Sequence, residues 1–164
     1  MSDKKGLGVF LLILAVIFCG LHFLQTIQFS QNCSGYIKQA ADANTVELAI
    51  SRLDKAIAYV EKENLTTGYT SVIYKTESDN VEFWYQNLLA CRAELENGKD
   101  GSQLEKTNLL LKIRESLTDS RDGATVVTLP NGIARYPNNL FWGLFLTAGI
   151  ILLLLCFWYF TNPY

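Results

Sequence analysis

Apolar positions in this chain follow two different patterns. At both ends they run without interruption, and between them they recur in stripes. The first uninterrupted run, Gly6 to Leu24, carries no charged residue. At about 1.5 Å per helical residue it reaches roughly 28 Å, enough for the hydrocarbon core of a bilayer. The second, Leu140 to Phe160, is also uncharged. It gathers aromatics at both ends: Phe141 and Trp142, then Phe157, Trp158, Tyr159 and Phe160. Amphipathic rings favour the headgroup layer, so this clustering reads as an anchoring belt. A helix apolar on every face is buried in a large core or in lipid. The expected fold is therefore a mainly α membrane protein, with two transmembrane helices flanking a small soluble helical domain. The divisions are a terminal stretch 1–5, a first membrane helix 6–29, a soluble domain 30–139, a second membrane helix 140–160 and a tail 161–164.

The middle shows stripes. Val46, Ile50, Leu53, Ile57 and Val60 recur in steps of three and four, which predicts one amphipathic helix ending near Asn64. Val81, Trp84, Leu88, Cys91 and Leu95 predict a second, stopped at Asn97-Gly98. Leu110, Ile113 and Leu117 predict a third. Asn44 with Glu47, Asp79 with Glu82, and Ser102 with Glu105 have the spacing of capping boxes. Phe83, Trp84 and Tyr85 are expected to dominate the small core. Thr125 to Leu129, Pro130-Asn131-Gly132 and Ile133 to Tyr136 read as a short β-hairpin, with Thr70 to Tyr74 as a strand able to join it.

Charge adds a constraint. Residues 30–139 hold 12 Lys/Arg and 15 Asp/Glu, a mixed surface with no electrostatic footprint for nucleic acid. Lys4 and Lys5 precede the first apolar run, whereas the nearest cations on the domain side, Lys38 and Arg135, lie several residues out. That asymmetry favours both termini in the cytoplasm and the central domain outside it. The first run is too long for a typical signal-peptide core and lacks a small-residue cleavage site, so it reads as an uncleaved anchor. About five residues at one end and four at the other would leave little chain on the cytoplasmic side.

Candidate chemistry is sparse. The sole histidine, His22, sits at the end of the first membrane helix, which disfavours Ser-His or Cys-His catalysis in the soluble domain. Glycine-rich nucleotide loops, HExxH and CxxC patterns are lacking, so no enzyme, metal or cofactor is expected. His22, Gln25, Gln28 and Asn32 form a polar row at helical spacing. With the small residues Gly143 and Thr147 they mark an intramembrane interaction face, since small residues allow close helix approach and polar ones bond across helices in lipid. Cys33 and Cys91 fall in the soluble part, and antiparallel helices would allow them a disulfide. Asn64-Leu65-Thr66 is the better of two glycosylation triplets if the protein is eukaryotic. The expected function is a non-enzymatic accessory or interaction subunit of a larger membrane complex. The expected partners are the bilayer and either other membrane-protein subunits or further copies of the chain. A homo-oligomeric pore and a ligand-sensing domain that recruits a partner are the alternatives.

Overall fold

The computed structural model describes residues 2–71, 74–134 and 139–161. It is mostly helical, with one two-stranded sheet. The first helix, α1 (Ser2–Phe29), does not end at the edge of the apolar run. It passes through one π-turn at Ser30–Ser34 into α2 (Gly35–Ala41). The π-turn is closed by the Gly35 N–H donating to the Ser30 carbonyl. A Cβ on Gly35 would stand 3.0 Å from that same oxygen, so glycine suits the wide turn. The inserted residue shifts the buried face to Phe29, Cys33, Ile37, Ala40 and Ala41. The lower part of the long helix, Gly6–Ala41, is long and apolar enough to cross a membrane, and only 11% of its most apolar stretch is buried.

The predicted stripes are buried. The helix α3 (Val46–Lys62) buries Val46, Ile50, Leu53, Ile57 and Val60. The helix α4 (Val81–Asn97) buries Val81, Trp84, Leu88, Cys91 and Leu95. The helix α5 (Gln103–Leu117) buries Ile113 and Leu117, with Leu110 packed at the edge. With α2 they make a four-membered bundle, one helix more than the three stripes predict. The extra member is the extension of α1 itself.

The caps correct the expected frames by one residue in two places. Thr45, not Asn44, caps α3, its Oγ1 accepting from the Leu48 N–H at 3.2 Å. Asn80, not Asp79, caps α4, its Oδ1 accepting from the Phe83 N–H at 3.0 Å. Asp79 instead closes a 3₁₀ turn with Thr76, accepting from its hydroxyl at 2.6 Å and its N–H at 3.2 Å. Ser102 and Glu105 form the predicted box at α5. Asn64 ends α3 in the left-handed region at φ 56°. Its N–H donates to Glu61 and the Leu65 N–H to Val60, a Schellman closure sealed by buried Leu65.

The hairpin lies earlier than expected. β1 (Thr118–Arg121) pairs antiparallel with β2 (Ala124–Val127), Thr118 opposite Val127 and Arg121 opposite Ala124. The turn is Asp122-Gly123, both at positive φ (53° and 77°), which gives the twist a two-residue hairpin needs. Pro130 to Gly132 also turns, the Ile133 N–H donating to the Pro130 carbonyl, but it docks Asn131 on Ser78. The end of the expected second strand, residues 135–136, lies outside the described residues. Among the described residues the stretch at Thr70 makes an isolated bridge, Tyr69 opposite Asn80, and none of them pairs with the hairpin; Val72 and Ile73 lie outside the described residues.

The last helix, α6 (Asn139–Thr161), lies antiparallel to α1. Phe18 stacks on Phe145 at 4.3 Å between ring centroids, and the Cys156 thiol lies 3.9 Å from the Gly8 carbonyl. Side-chain contacts also order the bundle by height. Lys55 lies over the Tyr36 ring and Tyr59 meets Phe29 edge-on at 6.1 Å, so α3 descends along α1–α2. Tyr85 meets Glu61 at 2.7 Å and Arg92 meets Asp54 at 3.0 Å, so α4 climbs back along α3. Counting along each helix from these contacts puts the start of α4 level with Phe23 to Gln25 of α1. The start of α6, counted back from Phe145, falls at the same level.

Candidate functional site

The α1–α6 pair is the feature most unlike a soluble bundle. Gly8, Leu11, Ala15, Phe18, His22 and Gln25 recur at steps of three and four on α1, and all are buried or half-buried. On α6 the corresponding positions are Phe145, Gly149, Leu152, Cys156 and Tyr159. Gly149 permits a close approach, because a Cβ there would stand 3.3 Å from that of Phe18. The other faces present large apolar side chains outward, among them Phe10, Val16, Phe23, Leu144, Leu154 and Phe157.

This arrangement divides the predicted interaction face. His22 and Gln25 lie on the inward stripe, one and two turns from Phe18, with the His22 Nδ1 and the Gln25 Oε1 both buried. Gln28 and Asn32 are exposed on another side, the Asn32 amide donating to the Gln28 carbonyl at 3.0 Å. Thr147 is exposed and its hydroxyl bonds the Gly143 carbonyl at 2.8 Å. A Cβ on Gly143 would meet nothing within 4 Å. The close-packing role therefore falls to Gly149, and the four polar residues form two separate groups. Helix phase separates them: the inward stripe steps from Gln25 to Phe29, and Gln28 falls about 120° from His22 around α1.

Within the bundle, Cys33 and Cys91 are both buried and both carry free thiols. Cys33 faces Tyr59, and Cys91 lies against α5, near Ser116 and Lys112. Burial chiefly raises the Cys91 pKa, with Glu94 adding to it, which disfavours the reactive thiolate. Burial pushes Tyr59 up to about 12, with Glu63 and Cys33 adding to the shift. The hydrogen bond to Glu61 raises Tyr85, and the bond to Asp54 raises Arg92. Glu105 is lowered by the bonds from Ser102. Each shift follows from packing, pairing or capping. Among the described residues no cluster of three His, Cys, Asp or Glu side chains is placed to hold a metal. A groove beside the hairpin is lined by Asp119, Arg121, Val127, Leu129, Asn131 and Ile133. Asn64, the predicted glycosylation position, is exposed, but its backbone is committed to closing α3.

Comparison of the chain with protein-family models, with curated proteins and with solved structures gives no match.

Proposed function

We propose that this chain is a two-span membrane protein, α1 and α6 forming an antiparallel hairpin in the bilayer and the bundle standing on one face of it. It acts as a non-enzymatic accessory subunit that recognises other membrane proteins through the hairpin and the bundle. The observation that carries the reading is the outward apolar surface of α1. A helix of that length in a soluble core would be mostly covered, whereas this one exposes Leu7, Phe10, Val16, Phe23 and Leu24. The helix α6 has 23 residues and a similar outward face, with Leu144, Ile151, Leu154 and Phe157 exposed. Both termini then lie on one side of the membrane, and the charge of Lys4 and Lys5 favours the cytoplasmic side.

The inward placement of His22 and Gln25 supports an accessory role over a pore. A pore lined by this row would require those groups on a surface facing other copies. Here they pack inside the chain's own hairpin and leave an apolar exterior. Gentle detergent extraction followed by native electrophoresis and identification of bound proteins tests the proposal. A defined membrane-protein partner, lost on harsher extraction, is the expected result. Migration of the extracted protein as a lone monomer would overturn the accessory role.

A further inference from the structure

The lower end of the bundle carries aromatic side chains that the core does not use. Phe83 in the first turn of α4 is 71% exposed, Tyr74 is 79% exposed and Tyr69 is 38% exposed. Tyr69 and Phe83 flank the same bend: the Tyr69–Asn80 bridge and the Gly68–Val81 hydrogen bond hold the loop against the start of α4. The Lys75 ammonium lies 5.1 Å from the centroid of the Tyr69 ring. One helical step, about 100°, from Trp84, Phe83 has no place in the buried stripe, so its exposure follows from helix phase and not from a missing neighbour in the bundle.

Height decides what these rings meet. Tyr85 is bonded to Glu61, and Tyr59 packs on Phe29. At about 1.5 Å per residue, Phe83 then stands level with about Gln25 of α1, one residue beyond the apolar run that ends at Leu24. Gly68 and Tyr69 are held at the start of α4 by the Val81–Gly68 hydrogen bond and the bridge to Asn80, and Lys75 over the Tyr69 ring keeps the stretch next to Tyr74 beside them. The segment that leads to α6 touches the same loop, through Asn131 and Ser78 at 2.9 Å.

We infer that Tyr69, Tyr74 and Phe83 form an interfacial anchor that seats the lower end of the bundle in the headgroup layer of the bilayer entered by α1 and α6. The inference rests on the two-span reading above. The rings have the chemistry for that layer, since tyrosine offers an apolar body with a polar tip, and phenylalanine at this depth removes apolar surface from water. Nearby charge is mostly acidic: Glu61, Glu63, Glu77, Asp79 and Glu82 outnumber Lys62 and Lys75. The anchor is therefore selective for aromatic insertion into a zwitterionic surface and gains nothing from anionic lipid.

Nitroxide labels on single added cysteines test this in phosphatidylcholine proteoliposomes, with Cys19→Ser removing the exposed native thiol. Four variants are compared: Tyr74→Cys, Phe83→Cys, Leu104→Cys and Val16→Cys. Leu104 is 71% exposed at the start of α5, the opposite end of the bundle, and reports the aqueous reference. Val16 reports the depth of α1. Labels at 74 and 83 are expected to collide several-fold more with oxygen than with a water-soluble nickel chelate, the reverse of 104. The contrast should stay unchanged when phosphatidylserine is added. If 74 and 83 match 104 while 16 is lipid-shielded, the anchor is overturned and the two-span reading stands. If 16 is itself open to the nickel chelate, both fall together.

Discussion

Trp84 shows how one residue ties the bundle to the chain that leads into α6. It is 5% exposed, and its indole N–H donates to the Thr128 carbonyl at 3.1 Å. Trp84→Phe keeps most of the packing and loses the hydrogen bond, so chemical denaturation in detergent should show a loss of about 1 kcal/mol. Trp84→Ala opens a cavity as well and should lose about 3–5 kcal/mol. Equal losses would mean that the hydrogen bond, and not the ring, dominates. Neighbouring Phe83 and Tyr85 do not share this role, although the run of three aromatics reads as one core block. One step along a helix turns a side chain by about 100°, so Trp84 points inward, Tyr85 packs at the edge of the core and Phe83 faces out. Tyr59 carries the pH dependence. Its folded pKa is raised, so the native state holds the phenol proton more tightly than the unfolded chain. That contribution is fully present below about pH 10 and is lost as pH rises towards 12. Stability measured between about pH 9 and 12 should fall more steeply for the wild type than for Tyr59→Phe. Parallel curves would place the alkaline sensitivity elsewhere, for instance at Cys91, whose pKa is also raised.

At the scale of elements, helices were the most legible feature, because an amphipathic stripe needs only local order to be recognised. Val46 to Val60 and Val81 to Leu95 are buried as their spacing predicts. Boundaries were less legible. Asn44 and Thr45 are both good caps, and so are Asp79 and Asn80; which one caps depends on the path by which the chain enters the helix. The hairpin was displaced for a similar reason. Asp122-Gly123 and Pro130-Asn131-Gly132 both support turns, and pairing went to the one whose flanking strands continue from the end of α5. The contact between α1 and α6 separates two glycines that the sequence treats alike. Gly149→Leu must push against Phe18 and should lower thermal stability in detergent by about 1–3 kcal/mol, as overpacking does. Gly143→Leu extends into open space and should leave the midpoint within experimental error. Loss of stability in both variants would show that the Phe18 contact does not set the effect, since the better helix propensity of leucine would by itself stabilise both.

For the whole molecule, the decisive relation is the antiparallel pairing of the two apolar helices. It predicts that Gly8→Cys, oxidised in membranes in a Cys19→Ser background, forms a bridge to native Cys156 within one chain. Peptide mapping should find the linked pair in protein that still migrates as a monomer. A bridge found only between chains would refute the hairpin. The sequence alone determined which segments are apolar without interruption and which carry one apolar face, because hydropathy and helical period are local properties. It also disfavoured histidine-dependent catalysis in the bundle, since the one histidine stands on α1. Tertiary structure decided the rest. The π-turn at Ser30–Ser34 continues the first helix into the bundle, where Cys33 and Ile37 are buried. The heights of α3 and α4 bring Phe83 level with Gln25, a relation between residues 58 positions apart. Long-range relations of this kind depend on how helices pack and cross, and no local period encodes them.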